Sequence, residues 1–300
     1  MSEAQLSKGN LFNPELVTKV INKVKGHSSI AKLSPQKPIP FNGQREFVFD
    51  FDSDIDIVAE NGKKTHGGVS LDPVTIVPLK VEYGARVSDE FLHASEEAKV
   101  DMLTDFVEGF SKKLARGLDI MSIHGINPRT KQASTIIGDN CFDKKVTQTV
   151  PFKDTNPDES MEDAVGMIDG SERDITGAIL DPIFTTALSK MKNAEGGKLY
   201  PELAWGGVPD AINGLAVDKN RTVSYSQTDP KNTAIVGDFE TMFKWGYAKE
   251  VPMEIIKYGD PDNSGRDLKG YNQIYIRCEA YIGWGIMDAA SFARIVKTGG

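Results

Sequence analysis

The residue types that most often do chemistry are sparse and scattered in this chain. Its four histidines, His27, His66, His93 and His124, stand far apart, and no HExxH pattern joins them. The two cysteines, Cys141 and Cys278, form no CxxC. A zinc site needs three or four clustered ligands, and these residues offer no such cluster. Neither GxGxxG nor a GxSxG elbow occurs. Gly62-Lys63-Lys64-Thr65 comes nearest to a phosphate-binding loop, but Ile57 stands where its first glycine belongs. Two aspartate runs invite a calcium test. Asp50, Asp52, Asp54 and Asp56 alternate, without the glycine and closing glutamate of a calcium loop. Asp260, Asp262, Ser264 and Gly265 fit the first half of such a loop, and Tyr271 occupies the closing position. These runs read better as a charged strand face and a polar loop. With 43 acidic residues some carboxylate pair is always available, and nothing singles one out. The sequence therefore assigns no catalytic, cofactor-binding or metal-binding residue.

Charge and composition narrow the classes further. The chain has 300 residues, 43 acidic against 35 basic, a net charge of -8 and 39% hydrophobic residues. Its mean hydropathy is -0.33. A net negative charge argues against a dedicated nucleic-acid binder. The distribution is uneven, however: Lys8, Lys19, Lys23, Lys25, Lys32 and Lys37 face only Glu15 between residues 8 and 37. That segment reads as a solvated helix face, with nonspecific phosphate contact as the alternative. No window approaches the roughly 18 apolar residues of a membrane helix. Met1 to Gln5 lacks a signal-peptide pattern, so residence in a cytosol is expected. Two distant cysteines indicate no disulfide framework, and Cys278 reads as a small core residue.

The most informative elements lie between residues 39 and 83. They read as two extended arms around a Gly/Lys tip at Asn61-Gly62-Lys63-Lys64. Arg45, Phe47, Phe49 and Phe51 alternate with Glu46, Val48, Asp50 and Asp52, and Val74 to Val81 is rich in β-branched residues. A lone ribbon is marginal in water. This one is expected to expose Phe47, Val48, Phe49, Phe51, Ile55, Ile57 and Val58 without local cover. Cover by another subunit resolves that problem, which points to assembly.

Around the ribbon the pattern is mixed α+β. Asn13-Pro14-Glu15 opens a helix with a Leu16, Val17, Val20, Ile21, Val24 stripe. Ser88 to Leu92 reads as a capped turn. Ser95 starts the longest helix, to about Ile123, with Met102, Phe106, Phe110, Leu114 and Leu118 on one side and Leu103, Val107 and Met121 beside them. Residues 125–170 are turn-rich with mixed signals. Asp181-Pro182 opens another helix. Strands are expected at 215–217, 234–236, 251–258, 273–286 and 293–296.

This order of elements resembles the tailed-phage major capsid protein family, the Hong Kong 97-type fold, over essentially the whole chain from residue 11. Leu11 to Leu16 and Ser28 to Leu33 are similar to the family's N-terminal arm. Val58-Ala59-Glu60-Asn61-Gly62-Lys63 resembles its extended loop, and Pro78 to Leu92 the entry to its spine helix. Leu118-Asp119 and Ile123-His124-Gly125 match the helix end, and Val236-Gly237-Asp238-Phe239 a strand exit. Asn272 to Arg294 resembles the C-terminal strand pair. Each stretch is weak alone; their order and spacing are specific.

The resemblance implies a structural shell subunit, not an enzyme. It implies an arm at 1–38, an extended loop at 39–78, a peripheral domain at 79–150 and 246–300, and an axial domain at 151–245. Phe47, Phe49, Phe51, Asp54, Asp56, Glu60, Lys63 and Lys64 would contact a neighbour. Asp260, Asp262, Asn263 and Arg266 would sit in a loop near local three-fold axes, and Lys19, Lys23 and Lys25 would face inward. The partners implied are further copies in hexamers and pentamers, a portal protein and packaged double-stranded DNA, with no membrane and no cofactor. The short arm leaves no room for a fused scaffolding region, so a separate scaffolding protein, or none, is expected. Lys63 or Lys64 with Asn263 or Asn272 are cross-link candidates by location only; a non-covalent shell is expected. A nanocompartment shell of the encapsulin type is the alternative within the fold. A soluble hydrolase using the middle region is the alternative outside it.

Overall fold

One long helix and a short arm segment tie two β-sheets together. The computed structural model describes residues 28–51, 54–63, 66–90, 96–225, 230–249 and 253–297. The expected helix at Pro14 lies outside them. The arm enters as α1 (Ser29–Leu33). The ribbon is β1 (Gln44–Phe51) against β2 (Val69–Ile76), antiparallel, with Gln44 opposite Ile76 and Phe51 opposite Val69. The expected second arm, Val74 to Val81, is broken at Val77-Pro78. Pro78 cannot donate to a ladder, and β3 (Leu79–Ser88) departs to another sheet.

The spine helix α2 spans Glu96–His124, close to its expected bounds and roughly 40 Å long. Gly125, at φ 66°, closes it in the left-handed region that glycine adopts freely. Phe110, Leu114, Leu118 and Met121 are buried as the periodicity predicts, and Phe106 is half-buried. They pack on Trp245, Ile282 and Trp284 of one sheet and on Ile179, Ile235 and Phe292 of the other.

Residues 125–170, unassigned from sequence, hold α3 (Phe142–Lys145), β4 (Thr149–Pro151) and the thirteen-residue α4 (Pro157–Asp169). The signal for α4 was present. Asn156-Pro157-Asp158-Glu159 repeats the Asn-Pro-acid opening read at residue 13, and Pro157, Ser160, Ala164 and Ile168 form its buried stripe. Beyond lie β5 (Gly177–Leu180), α5 (Pro182–Leu188) capped by Asp181, β6 (Ala211–Ile212), β7 (Leu215–Lys219) and β8 (Lys231–Gly237). Then follow β9 (Phe243–Lys249), β10 (Met253–Ile256), β11 (Gln273–Ile286) and β12 (Phe292–Lys297).

One sheet has the order β10-β11-β3, with β9 also on β11. The other runs β4-β12-β8-β5-β7-β6. The final strand therefore differs from expectation. Residues 292–297, grouped by sequence with 246–300, hydrogen-bond to β4 and β8 in the sheet of the middle segment. The turn at Ala289–Ser291, capped by Asp288, redirects the chain from one sheet to the other. β9 has no counterpart among the expected strands.

The arm is stitched to β9. Lys37 and Ile39 donate to the carbonyls of Trp245 and Tyr247, and the Trp245 indole donates to Ser34 at 2.9 Å. Gly246 lies under this crossing: a Cβ there would stand 1.6 Å from the Lys37 carbonyl oxygen, a backbone atom that cannot swing aside. Gly246→Ala is expected to lift residues 34–39 from β9 and lower the melting temperature by several degrees. Hydrogen exchange at Lys37 and Ile39 reads this directly; unchanged protection would count against it.

Candidate functional site

The ribbon, the loop after β10 and the arm anchor are the places where the sequence signals converge. At the ribbon base, alternation sorts two faces. Val48 and Val74 pack on Ile39, Ile76 and Met287, and Lys244 donates to Glu46 at 2.7 Å. Val48 is thus covered locally, contrary to the expectation of a bare ribbon. Phe47 lies on the opposite face, 56% exposed. Phe49 and Phe51 lie on the same strand; their side chains, with Lys19, Lys23, Lys25 and Lys64, fall outside what is described.

Beyond Phe51 the ladder ends. Asp54, Asp56, Glu60 and Lys63 occupy an exposed tip without strand pairing, so Asp54 and Asp56 do not continue a β1 face. Between them Ile55 is 98% and Ile57 95% exposed. An isolated exposed aliphatic residue is ordinary. Ile55 and Ile57 on one tip, flanked by exposed Val58, form an apolar patch of the sort that marks an interaction surface.

The loop from Gly259 to Gly270 is built around Arg86 of β3. Its Nε lies 2.9 Å from Asp262 Oδ2, and one terminal nitrogen reaches Asp262 Oδ1 at 2.5 Å, Asp260 Oδ1 at 2.6 Å and the Arg266 carbonyl at 2.9 Å. The Arg86 guanidinium holds the Asp262 carboxyl well below the usual carboxylate range. Asp260 also accepts from the backbone N–H groups of Ser264 and Gly265, at 3.0 and 2.7 Å. These oxygens are thus already engaged within the chain, and neither aspartate is an idle contact group. Asn263 turns the loop at φ 51°, and the Arg266 guanidinium sits over Tyr271 at 5.3 Å. Arg86→Gln is expected to free the loop. Limited proteolysis between residues 259 and 270 should accelerate several-fold, with the melting temperature nearly unchanged; an unaltered cleavage rate would contradict the role given to Arg86.

Sequence reasoning passed over the centre of the arm anchor. Asp119 of α2 is fully buried. It accepts from the Ser28 hydroxyl, from the Ser29 N–H at 3.2 Å and the Ile30 N–H at 3.4 Å, from Asn220 Nδ2 at 2.8 Å and from the Thr222 hydroxyl at 3.1 Å. Burial is the largest influence and raises its pKa to about 6, against the downward pull of those hydrogen bonds. Lys32 of α1 extends the anchor to Asp210 and Asp218, at 2.9 and 3.2 Å.

One turn further along, the His124 ring lies 2.7 Å from Asp143 Oδ2 and 2.8 Å from the Thr222 carbonyl. Arg294 of β12 reaches Asp143 at 3.2 Å, Asn232 at 3.1 Å and the Val146 carbonyl at 3.0 Å. Burial pushes the Asp143 carboxyl up, but the His124 and Asn232 hydrogen bonds and the Arg294 charge outweigh it and hold it low. Cys278 is buried in the sheet, and burial lifts its thiol to about 12. The polar clusters are braces between elements of the chain. Among the described residues no group of three His, Cys, Asp or Glu side chains is placed to hold a metal ion. Among them, too, no helix is long and apolar enough to cross a membrane.

Comparison with known proteins gives a consistent result. A family model described as the phage capsid family matches residues 8–297. Among solved structures, the chain is similar to one from Mycobacterium phage Ogopogo, at 30% identity and TM-score 0.76, covering 91% of this chain and 92% of that one. It is similar to one from Gordonia phage Cozz at 22% identity and TM-score 0.75, covering 91% and 87%. It also resembles a chain described as the capsid of a native GTA particle computed with C5 symmetry, at 13% identity and TM-score 0.65, covering 90% of each. No curated protein matches it.

Proposed function

This chain belongs to the phage capsid family, as the major capsid protein that forms the head shell with the Hong Kong 97-type fold, and from that premise we propose how its surfaces build the shell. Copies associate into hexamers and pentamers that close an icosahedral shell around packaged double-stranded DNA, assembled in the host cytoplasm. The ribbon tip lies over a neighbouring subunit. Ile55 and Ile57 are buried in that contact, Phe47 packs beside them, and Asp54, Asp56, Glu60, Lys63 and Lys64 fix the register by charge. The observation that carries this reading is the exposure of Ile55 and Ile57 on a tip their own chain leaves uncovered.

The loop built on Arg86 supplies a rigid corner near local three-fold axes, presenting Asn263 and Arg266. The arm upstream of Ser28 brings Lys19, Lys23 and Lys25 to the inner face, toward DNA or a separate scaffolding protein. One vertex is taken by a portal protein. Contacts are non-covalent. A subunit in several such contacts buries well over about 2,000 Å², of which most of the gross gain is offset by lost freedom. Closed symmetry turns the surplus into a stable shell.

The test is to produce the chain with and without its scaffold and image it by negative-stain electron microscopy. Closed shells are the expected result. A chain that stays monomeric with scaffold present would overturn the reading.

A further inference from the structure

We propose that the exposed stripe of α2 formed by Lys112, Lys113 and Arg116 is a contact for the phosphate backbone of double-stranded DNA. The inference rests on the shell reading above and names a surface that meets the contents of the shell.

Helical spacing builds the stripe. Gly109, Lys112, Lys113 and Arg116 stand at i, i+3, i+4 and i+7 of α2, so they share one face, and all of them are exposed. Lys112 and Arg116 are about 6 Å apart along the axis. The acids of this part of the helix come earlier: Asp105 is exposed two turns before Lys112, and Glu108 is half-buried. Among the described residues, Lys112, Lys113 and Arg116 enter no ion pair. The Arg116 guanidinium lies over the Tyr225 ring, 5.0 Å from its centroid, which steadies it without neutralising it.

The single chain gains nothing from this grouping. Like charges at i, i+3 and i, i+4 repel, at about 0.2–0.5 kcal/mol per pair. Arg116 lies more than two turns before the helix end at His124, outside the last turn where the dipole rewards cations.

A second basic segment arrives at the same place. Past Arg116 the face continues through Asp119, Ile120 and Ile123, all buried. The arm enters there, since the Ser28 hydroxyl and the N–H groups of Ser29 and Ile30 donate to Asp119. That point is one turn from Arg116. The sequence leading to Ser28 carries Lys19, Lys23 and Lys25 against Glu15. In a chain of net charge -8, two separate basic stretches converging on one face are the footprint of a polyanion.

The chemistry of the stripe favours nucleic acid over an acidic protein. Its exposed positions, Asp105, Gly109, Lys112, Lys113 and Arg116, include no apolar side chain. A protein partner needs an apolar centre to its contact, whereas a phosphate backbone needs cations alone. Such contacts fix position and read no sequence. Inside the shell, the polyanion of this kind is the packaged DNA.

Lysine acetylation of assembled particles, mapped by mass spectrometry, tests the contact. Lys112 and Lys113 are expected to react several-fold more slowly in DNA-filled particles than in DNA-free shells, and to recover the faster rate once the DNA is released. The triple variant Lys112→Gln, Lys113→Gln, Arg116→Gln should keep the melting temperature of the subunit within a degree or two. Its dissociated subunits should bind sheared double-stranded DNA more weakly than wild type. The slope of log affinity against log salt should fall by about 3, at roughly 0.9 per phosphate. Wild-type subunits that do not bind DNA at low salt, an unchanged slope, or equal labelling of filled and empty particles overturn the contact. Slow labelling of Lys112 and Lys113 already in DNA-free shells assigns the stripe to a protein neighbour and overturns it too. Failure of the wild-type chain to form particles under any condition overturns the shell reading itself.

Discussion

Replacing Asp119 with alanine lowers the melting temperature of the dissociated subunit by about 10 °C. Five donors converge on this one carboxylate, from the arm, from Asn220 and from Thr222. Each buried donor left without an acceptor costs about 1–3 kcal/mol, and the hydroxyls can turn elsewhere, so about 3–5 kcal/mol is expected. About 1 kcal/mol moves the midpoint of a chain this size by roughly 2–4 °C. The arm should loosen with it, seen as faster hydrogen exchange at Ser29 and Ile30. A loss of less than a few degrees would show that Asp119 is not the anchor.

The same residue gives a pH signature with a definite sign. Asp119 has a folded pKa of about 6, above the roughly 3.9 of an unfolded aspartate. Between those values the folded subunit binds more protons than the unfolded chain. Its contribution to stability is therefore full below about pH 4 and lost as pH rises through about 6, a change of about 3 kcal/mol. Asp143 and Asp288, held low by their partners, act in the opposite direction. The difference between wild type and Asp119→Asn isolates the effect: the urea midpoint of wild type should fall relative to that of Asp119→Asn as pH rises between about 4 and 6, and hold a constant offset outside that window. Parallel curves would exclude it.

Changing Ile55 and Ile57 together to aspartate abolishes shell closure while leaving the subunit fold intact. Both side chains are almost wholly exposed in the single chain, so their loss costs the fold little. Burying each against a neighbour is worth about 2 kcal/mol, and the pair about 4 kcal/mol per contact. That weakens each contact by about a thousandfold. Every subunit in a closed shell repeats the deficit. Particle yield by sedimentation should fall below detection, and the melting temperature of the unassembled subunit should stay within a degree or two. Normal yield would mean that the tip is not at a contact; a large fall in subunit stability would mean that its role is in folding.

The contrast between these residues shows what a sequence holds. Ile55 and Ile57 were legible: apolar residues on a ribbon with no local cover need no tertiary information to be suspected. So were α2 and β11, whose periods are written in their own residues. α4 was equally legible from its Asn-Pro-acid start and was obscured by the turn-rich residues before it.

Asp119 was not legible as an anchor. Its partners Ser28, Asn220 and Thr222 lie roughly a hundred positions away, and only folding brings them together. Asp260 and Asp262 read as part of a polar loop and not as a brace, because Arg86 is remote in sequence. The ribbon gave its two faces but not their sides. Local reasoning left Phe47 and Val48 alike without cover. Instead Ile76 packs against Gly283 and Gly285, where larger side chains would collide with it, and this docks the Val48 face and leaves Phe47 outside.

By itself, then, the sequence determined α2, the ribbon and β11, the order in which they come and the family that order resembles, because helix and strand periods are set by neighbours within a few residues. Which sheet β12 joins and which carboxylates are braced were decided by tertiary structure. Those outcomes depend on pairings between distant segments, whose energies do not exist until the chain has closed on itself.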